Sequence, residues 1–284
     1  VSELVLADLL RRGAEKLQNA GVDTPREEAR RLFSLVTGYT AATLIAKEHD
    51  TVSESIQSDY DVALGLRADR HPFAHIAGRT HFFGLALRSD SRALIPRADS
   101  ECVVELALSL IPETAAWHLA DLGTGTGALL AALLSQRPQT TGTAIDQSAS
   151  AIDLANDNLC ALGFADRIEL LHGSWAGWNG WGDCELIISN PPYICSDVIP
   201  DLEPEVRDYD PMDALDGGRD GLDAYREIIE LAAAKMKPGA HLVLEIGFDQ
   251  KLAVSDLLQQ AGFETLQHKK DLGGNDRAIS ITKT

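Results

Sequence analysis

Leu119-Ala120-Asp121-Leu122 is an apolar run of strand length that passes directly into Gly123-Thr124-Gly125-Thr126-Gly127 and then into the apolar stretch Ala128 to Leu134. A strand handed to a helix through glycines is one half of a β-α unit. Glycine tolerates the backbone such a turn requires, and the helix start offers N–H groups without intrahelical partners. The same alternation recurs. Periodicity predicts helices at 100–110, 126–136, 149–162, 222–236 and 250–261, and strands at 117–122, 140–145, 167–171, 185–189, 241–246, 263–268 and 277–281. Short apolar strands alternating with helices predict an α/β fold: a doubly wound, mostly parallel, Rossmann-like seven-stranded sheet with helices on both faces.

The chain upstream reads differently. Leu4, Leu6, Leu9, Leu10 and Leu17 recur at helical spacing, and Thr24-Pro25-Arg26-Glu27 has the form of an N-cap, a proline at the first helical position and an acid behind it. Helices are predicted through 1–13, 25–37, 40–47 and 53–69, making residues 1–72 a small all-helical N-terminal domain. Around Phe83-Gly84 the period changes to that of strands, so 73–98 reads as a β-hairpin linker and 99–284 as the sheet domain.

Composition narrows the function classes. No run approaches the ~18 apolar residues of a membrane span, and Arg11 and Arg12 interrupt the first helix, so a cytoplasmic protein without a signal peptide is expected. Cys102, Cys160, Cys184 and Cys195 lack metal or disulfide-framework spacing and read as buried free thiols. The net charge is −18, with 15 basic against 31 acidic residues after position 80. Such a field repels phosphate backbones, so direct nucleic-acid binding is not expected.

Nineteen residues after Gly127, Asp146 ends the next strand, where a carboxylate can accept from a ribose diol. Together with the glycine loop it marks a nucleoside-bearing cofactor site. Gly123-x-Gly125-x-x-Ala128 also satisfies the dinucleotide fingerprint, so this loop leaves NAD and S-adenosylmethionine both open. Beyond the fourth strand comes Asn190-Pro191-Pro192-Tyr193. The prolines hold φ and donate no hydrogen bond, leaving carbonyls to face a ligand. Asn190 and the Pro191 carbonyl make two acceptors for one planar NH2 group, and Tyr193 can pack on its flat face. A carboxamide or an aminopyrimidine edge fits.

Asp121-Leu-Gly-Thr-Gly-Thr-Gly127 with Asn190-Pro-Pro-Tyr193 resembles the class I S-adenosylmethionine-dependent methyltransferases that act on planar nitrogens. The helical N-terminal domain, Leu94-Ile95-Pro96-Arg97, Leu244-Glu245-Ile246-Gly247 and Asp271-Leu-Gly-Gly-Asn-Asp-Arg277 extend the resemblance over essentially the whole chain, to the HemK/PrmC family. That family methylates the glutamine of the Gly-Gly-Gln motif in class-1 peptide chain release factors and so modulates translation termination. The resemblance implies that Gly123, Thr124, Gly125, Thr126 and Gly127 wrap the methionine moiety, Asp146 holds the ribose and Trp175 lies along the adenine. It implies that Asn190 also borders the cofactor, and that Asn190, Pro191, Pro192 and Tyr193 hold the glutamine amide, with Asn190, Pro191 and Tyr193 acting in catalysis. It further implies an N-terminal domain that docks substrate; a monomer is expected, and no ligand spacing in the sequence points to a metal. The chain departs from the family at Ala98-Asp99-Ser100-Glu101, where the usual run is Pro-Glu-Thr-Glu, and at Ser174, where an acid commonly precedes the tryptophan.

The main rival is a methyltransferase for the exocyclic amine of adenine in DNA or RNA, which would present the same planar NH2; the charge opposes it. A nicotinamide oxidoreductase would leave Asn190 to Tyr193 without a use. His71 and His75, four apart, read as packing or surface residues, and Trp178 and Trp181 as packing or cover. Glu245 reads as a buried structural acid. The acid-rich stretch 197–230, with twelve acids and three arginines, reads as a solvated loop or a rim for a basic partner.

Overall fold

The structure, a computed structural model, describes residues 4–264 and 266–284; Val1, Ser2, Glu3 and Thr265 fall outside it, and with them the start of the first predicted helix and one position of the predicted strand 263–268. The chain separates into two compact units, one running through Gly78 and including Pro204–Tyr209, the other made of Arg79–Glu203 and Asp210–Thr284.

The first unit holds helices α1 (Leu6–Asn19), α2 (Pro25–Thr37), α3 (Ala41–Ala46), α4 (Glu54–Ala68) and α5 (Phe73–Ala77). Leu6, Leu9, Leu17, Leu32, Phe33, Tyr60 and Leu64 form its core. Tyr60 stays satisfied there by donating to the Ala29 carbonyl at 3.1 Å. Two local expectations change. Thr24 precedes α2 but takes a left-handed backbone, φ 46°, and makes no side-chain cap; the helix start has Pro25 and the first-turn acids Glu27 and Glu28 instead. Where strand periodicity was expected to begin, Phe73–Ala77 makes one more helical turn, started after Pro72 and ended by Gly78 at φ 64°. Arg67 donates to Glu28 at 2.9 Å and to Glu205 at 2.7 Å, and Arg70 grips the same Glu205 carboxylate at 2.5 and 2.8 Å. Burial works against the Glu205 charge, but the two arginines hold its carboxyl below its ordinary range. The segment after the Pro-Pro motif, with its short helix α9 (Pro204–Arg207), is therefore built into the helical unit by paired buried charge.

The second unit begins with the expected hairpin, β1 (Arg79–Phe82) and β2 (Leu85–Arg88), joined by the two-residue turn Phe83-Gly84. Both turn residues have positive φ, 50° and 76°, the geometry whose twist suits a hairpin. Phe83 lacks glycine's freedom, and its N–H is held by the Glu101 carboxylate at 2.8 Å. Then follow α6 (Glu101–Leu110), β3 (His118–Leu122), α7 (Ala128–Gln136), β4 (Thr141–Asp146), α8 (Ala149–Ala161), β5 (Ile168–His172) and β6 (Leu186–Ser189). After α10 (Met212–Leu215) come α11 (Asp223–Lys235), β7 (His241–Glu245), α12 (Lys251–Gln260), β8 (Leu266–Lys270) and β9 (Asp276–Thr282).

The seven strands run in the order β5-β4-β3-β6-β7-β9-β8. β3 to β7 are parallel, while β9 is antiparallel to both β7 and β8. Neighbouring positions on each central strand serve opposite faces. Leu119, Leu186, Ile188 and Val243 join the cluster of α6, α7 and α8, whereas Ala120, Ile187, Leu242 and Leu244 join that of α11 and α12. This double coverage is why the strands read as continuous apolar runs. Order reverses between β3 and β6, so their carboxyl ends open a crevice. Cys102 and Cys184 are buried, and burial pushes both thiols up to about 12; Cys160 is exposed and Cys195 half-buried, so only two of the four cysteines are core thiols. Among the described residues no helix is long and apolar enough to cross a membrane.

A methyl group at Gly13 in α1 would fall on the Tyr60 hydroxyl. Ala gains about 1 kcal/mol over Gly in helix propensity, but overpacking costs ~1–3 kcal/mol and displacing the buried Tyr60 hydroxyl about 1 kcal/mol more. Gly13→Ala is expected to lower the urea midpoint of unfolding followed by circular dichroism; an unchanged midpoint would mean that Tyr60 swings aside freely.

Candidate active site

The crevice at the carboxyl ends of β3, β4 and β6 deepens into a cavity contained within the second unit. Its floor is the glycine loop. Gly123 and Gly125 adopt φ 70° and 55°, where a side chain is strained, and both line the cavity with Thr124 and Thr126. The Gly123 and Thr124 amides donate to the Ile145 carbonyl at 2.8 and 3.0 Å, so the loop is stitched to β4. Gly127 does not line the cavity. A Cβ there would stand 3.4 Å from Ala155 and Leu159 of α8, which makes it the glycine that lets α7 and α8 approach.

Asp146 ends β4 and joins two turns. One carboxylate oxygen accepts from the Gly125 amide and the other from the Ser148 amide, both at 2.9 Å. Each oxygen keeps further acceptor capacity toward the cavity that Asp146 lines. Trp175 closes one side. Its ring lies 3.6 Å from where a Gly123 Cβ would stand, its Nε1 donates to Glu227 at 2.5 Å, and its carbonyl accepts from Trp181 Nε1 at 2.9 Å. Trp181 is fully buried and Trp178 packs on it, as the sequence suggested. Ser174 caps a turn by accepting from the Gly177 amide at 3.3 Å.

Asn190 and Pro192 line the cavity; Pro191 is buried and Tyr193 half-buried, and neither is part of its lining. The Tyr193 hydroxyl instead donates to Glu245 at 3.2 Å, and burial raises its pKa. Two glycines make this turn possible. A Cβ on Gly217 would lie 2.9 Å from the Pro192 carbonyl, and one on Gly221 would collide with that of Tyr193. The Gly217 amide donates to Ile194 at 2.8 Å, and Gln250 donates to the Tyr193 carbonyl at 2.9 Å. The turn around Gly217 is thus part of the motif's bedding.

Several contributors carried no sequence signal. Asn158, buried in α8, accepts from the Arg88 amide at 2.7 Å and donates to the Thr126 carbonyl at 2.9 Å, tying hairpin to glycine loop. Asp210, whose side chain is fully buried, accepts from Arg97 at 3.0 Å and from the Ile95 amide at 3.5 Å, joining two stretches of cavity wall. Arg97 and Asp99, at the family departure, both enter ion pairs, Asp99 with Arg277 at 3.5 Å. Several acids of 197–230 are spent this way: Glu205 and Asp210 are internal, and Asp220 and Asp223 pair with Arg226. His71 packs its ring on Tyr209 at 4.3 Å.

Beneath the loop, Asp121 is fully buried. Burial pushes its carboxyl up to about 7, against the hydrogen bond from Thr124 at 2.7 Å, and its other oxygen has no partner. A raised folded-state pKa means that the folded chain holds a proton the unfolded chain releases. The contribution is full below the ordinary value of 3.8 and is lost as pH rises through about 7. Asp121→Asn keeps an acceptor for Thr124 and removes the titration. Melting temperatures of this variant at pH 5 and pH 8 are expected to differ less than those of the wild type; an unchanged difference would contradict the buried titration.

A family model described as the PrmC N-terminal domain matches residues 8–78, and one described as the Methyltransferase small domain matches residues 101–199. The release factor glutamine methyltransferase of Caulobacter vibrioides is 38% identical over 265 residues, 93% of this chain and 92% of its own length. That of Rhodospirillum rubrum is 41% identical over 98% of this chain and 85% of its own length. A solved methyltransferase from Pyrococcus furiosus, 17% identical, covers 71% of this chain and 90% of its own with a TM-score of 0.51, which speaks to the fold alone. With identity at this level over nearly its whole length, the chain belongs to the release factor glutamine methyltransferase family.

Proposed function

We propose that this chain transfers a methyl group from S-adenosylmethionine to the side-chain amide nitrogen of the glutamine in the Gly-Gly-Gln motif of class-1 peptide chain release factors. The observation that carries the reading is Asn190, a half-buried carboxamide on the wall of a cavity whose floor is the glycine loop. The cavity suits the cofactor. Gly123 and Gly125 leave the space that a Cβ would take, Asp146 offers acceptors for a ribose diol, and Trp175 presents a flat apolar surface for a purine. When bound, S-adenosylmethionine supplies a methyl group activated by the positive charge on its sulfur.

The protein's own share is placement. An amide lone pair is delocalised into its carbonyl, and no side chain deprotonates an amide at neutral pH. In this reading Asn190 and the Pro191 carbonyl accept the two amide hydrogens and aim the nitrogen at the methyl. Orientation of this kind is worth about 7–11 kcal/mol. As attack proceeds the N–H bonds become more acidic, so both hydrogen bonds strengthen toward the transition state. Pro192 and Tyr193 shape the slot, and the proline pair keeps it rigid. The helical domain, 1–72, is read as the docking surface for the protein substrate, with 73–98 as linker and 99–284 as the catalytic domain. The enzyme is read as a monomer in the cytoplasm, where translation runs.

Mass spectrometry of a purified release factor after incubation with the chain and cofactor is expected to find one added methyl on the motif glutamine. Methyl transfer to DNA or ribosomal RNA, with none to release factor, would overturn the assignment. Asn190→Ala is expected to lower kcat by about 10²–10³ while the calorimetric affinity for S-adenosylmethionine changes less than about threefold. Equal losses in the two would contradict the role given to Asn190.

A further inference from the structure

Behind the Asn-Pro-Pro-Tyr turn lies a buried acid that placement alone does not use. Glu245, the last residue of β7, is 2% exposed. One of its oxygens accepts from the Tyr193 hydroxyl at 3.2 Å and the other has no hydrogen-bond partner. A half-satisfied buried carboxyl costs stability, and a glutamine of the same shape would carry no charge.

We propose that Glu245 is a positioning residue for methyl transfer, fixing and polarising the Tyr193 ring through its hydroxyl so that the ring's face stabilises the amide nitrogen in the transition state. This rests on the reading of Asn190 to Tyr193 as the amide slot. At 3.2 Å the bond is long for a charge-assisted one, so the carboxylate orients the phenol more than it binds it. The phenol also becomes more electron-rich. As the methyl arrives, the nitrogen gains positive charge, and an electron-rich π face stabilises charge of that sign. Since this charge exists only during transfer, the effect belongs to kcat and leaves cofactor binding aside.

The surroundings keep the carboxyl close to its titration point. Arg277 on β9, itself paired with Asp271 at 3.3 Å and Asp99 at 3.5 Å, favours the ionised form, and Asp99 opposes it. Ser100, just before α6, favours the ionised form through its hydroxyl, Cys102 of α6 lies beside the carboxyl, and Tyr225 of α11 donates to the Glu245 main-chain carbonyl at 2.9 Å. Burial dominates and pushes the Glu245 carboxyl up to about 7. Activity should therefore rise as pH increases through neutrality and Glu245 loses its proton.

The test compares wild type, Glu245→Gln, Tyr193→Phe and the double variant in methyl transfer to purified release factor between pH 5.5 and about 9, spanning the carboxylate shift. In wild type, kcat should show a rising limb centred near pH 7. Glu245→Gln should remove the limb and lower the plateau about tenfold, with KM for S-adenosylmethionine within about twofold. Tyr193→Phe should also remove the limb although Asp121 is untouched, and the double variant should be no slower than Tyr193→Phe. A wild-type limb retained in Glu245→Gln or Tyr193→Phe, or a double variant that loses the product of the two single effects, would overturn the inference. Quenching of tryptophan fluorescence by S-adenosylmethionine reports folding of each variant; should Glu245→Gln not fold, the limb in Tyr193→Phe decides. If wild type leaves the motif glutamine unmethylated, the functional reading falls and takes this one with it. Transfer with an additive cycle defeats only the positioning role.

Discussion

The Asp146 carboxylate spans the start of two β-α crossovers, accepting the Gly125 amide with one oxygen and the Ser148 amide with the other. Those amides belong to turns that follow different strands, and this one side chain ties the two together. Backbone in a left-handed conformation has no intrinsic preference for staying there, and three glycines in five residues make the loop the softest stretch of its strand-helix transition. Two charge-assisted bonds, together with the main-chain bonds to Ile145, turn that softness into a defined floor.

The opposite wall obeys the same logic with different parts. The Pro-Pro turn is stiff by itself, and its neighbours were adapted to it. Gly217 and Gly221 withdraw their side chains from its carbonyls, Gln250 bonds the Tyr193 carbonyl, and Glu245 bonds the Tyr193 hydroxyl. One wall is flexible backbone held by a carboxylate, and the other is rigid backbone accommodated by glycine. In both, precision at the proposed site comes from elements that contribute no atom to the reaction.

Much of this was legible beforehand because it was written locally. Apolar runs, the hairpin at Phe83-Gly84 and the glycine loop depend on residues close in sequence, and each stands where the patterning put it. The expected Thr24 cap is absent: its backbone is left-handed and its side chain makes no hydrogen bond to the helix start. Gly127, which the resemblance grouped with its neighbours, stands at the contact of α7 with α8. Asn158, Asp210 and Glu245 were invisible as partners of the site, since nothing in a sequence states that position 158 meets 126 or that 245 meets 193.

The amino-acid sequence by itself determined the order of strands and helices, the position of the glycine loop and the family, because these follow from periodicity, backbone preference and short motifs. Only the tertiary structure decided which carboxylates are buried and which are paired. The acids of 197–230 look alike in sequence, yet Glu205 is gripped by Arg67 and Arg70, Asp210 by Arg97, and others stay at the surface. The physical reason is that a charge's cost and use depend on its desolvation and on partners brought from distant segments, and both come into being only when the chain has folded.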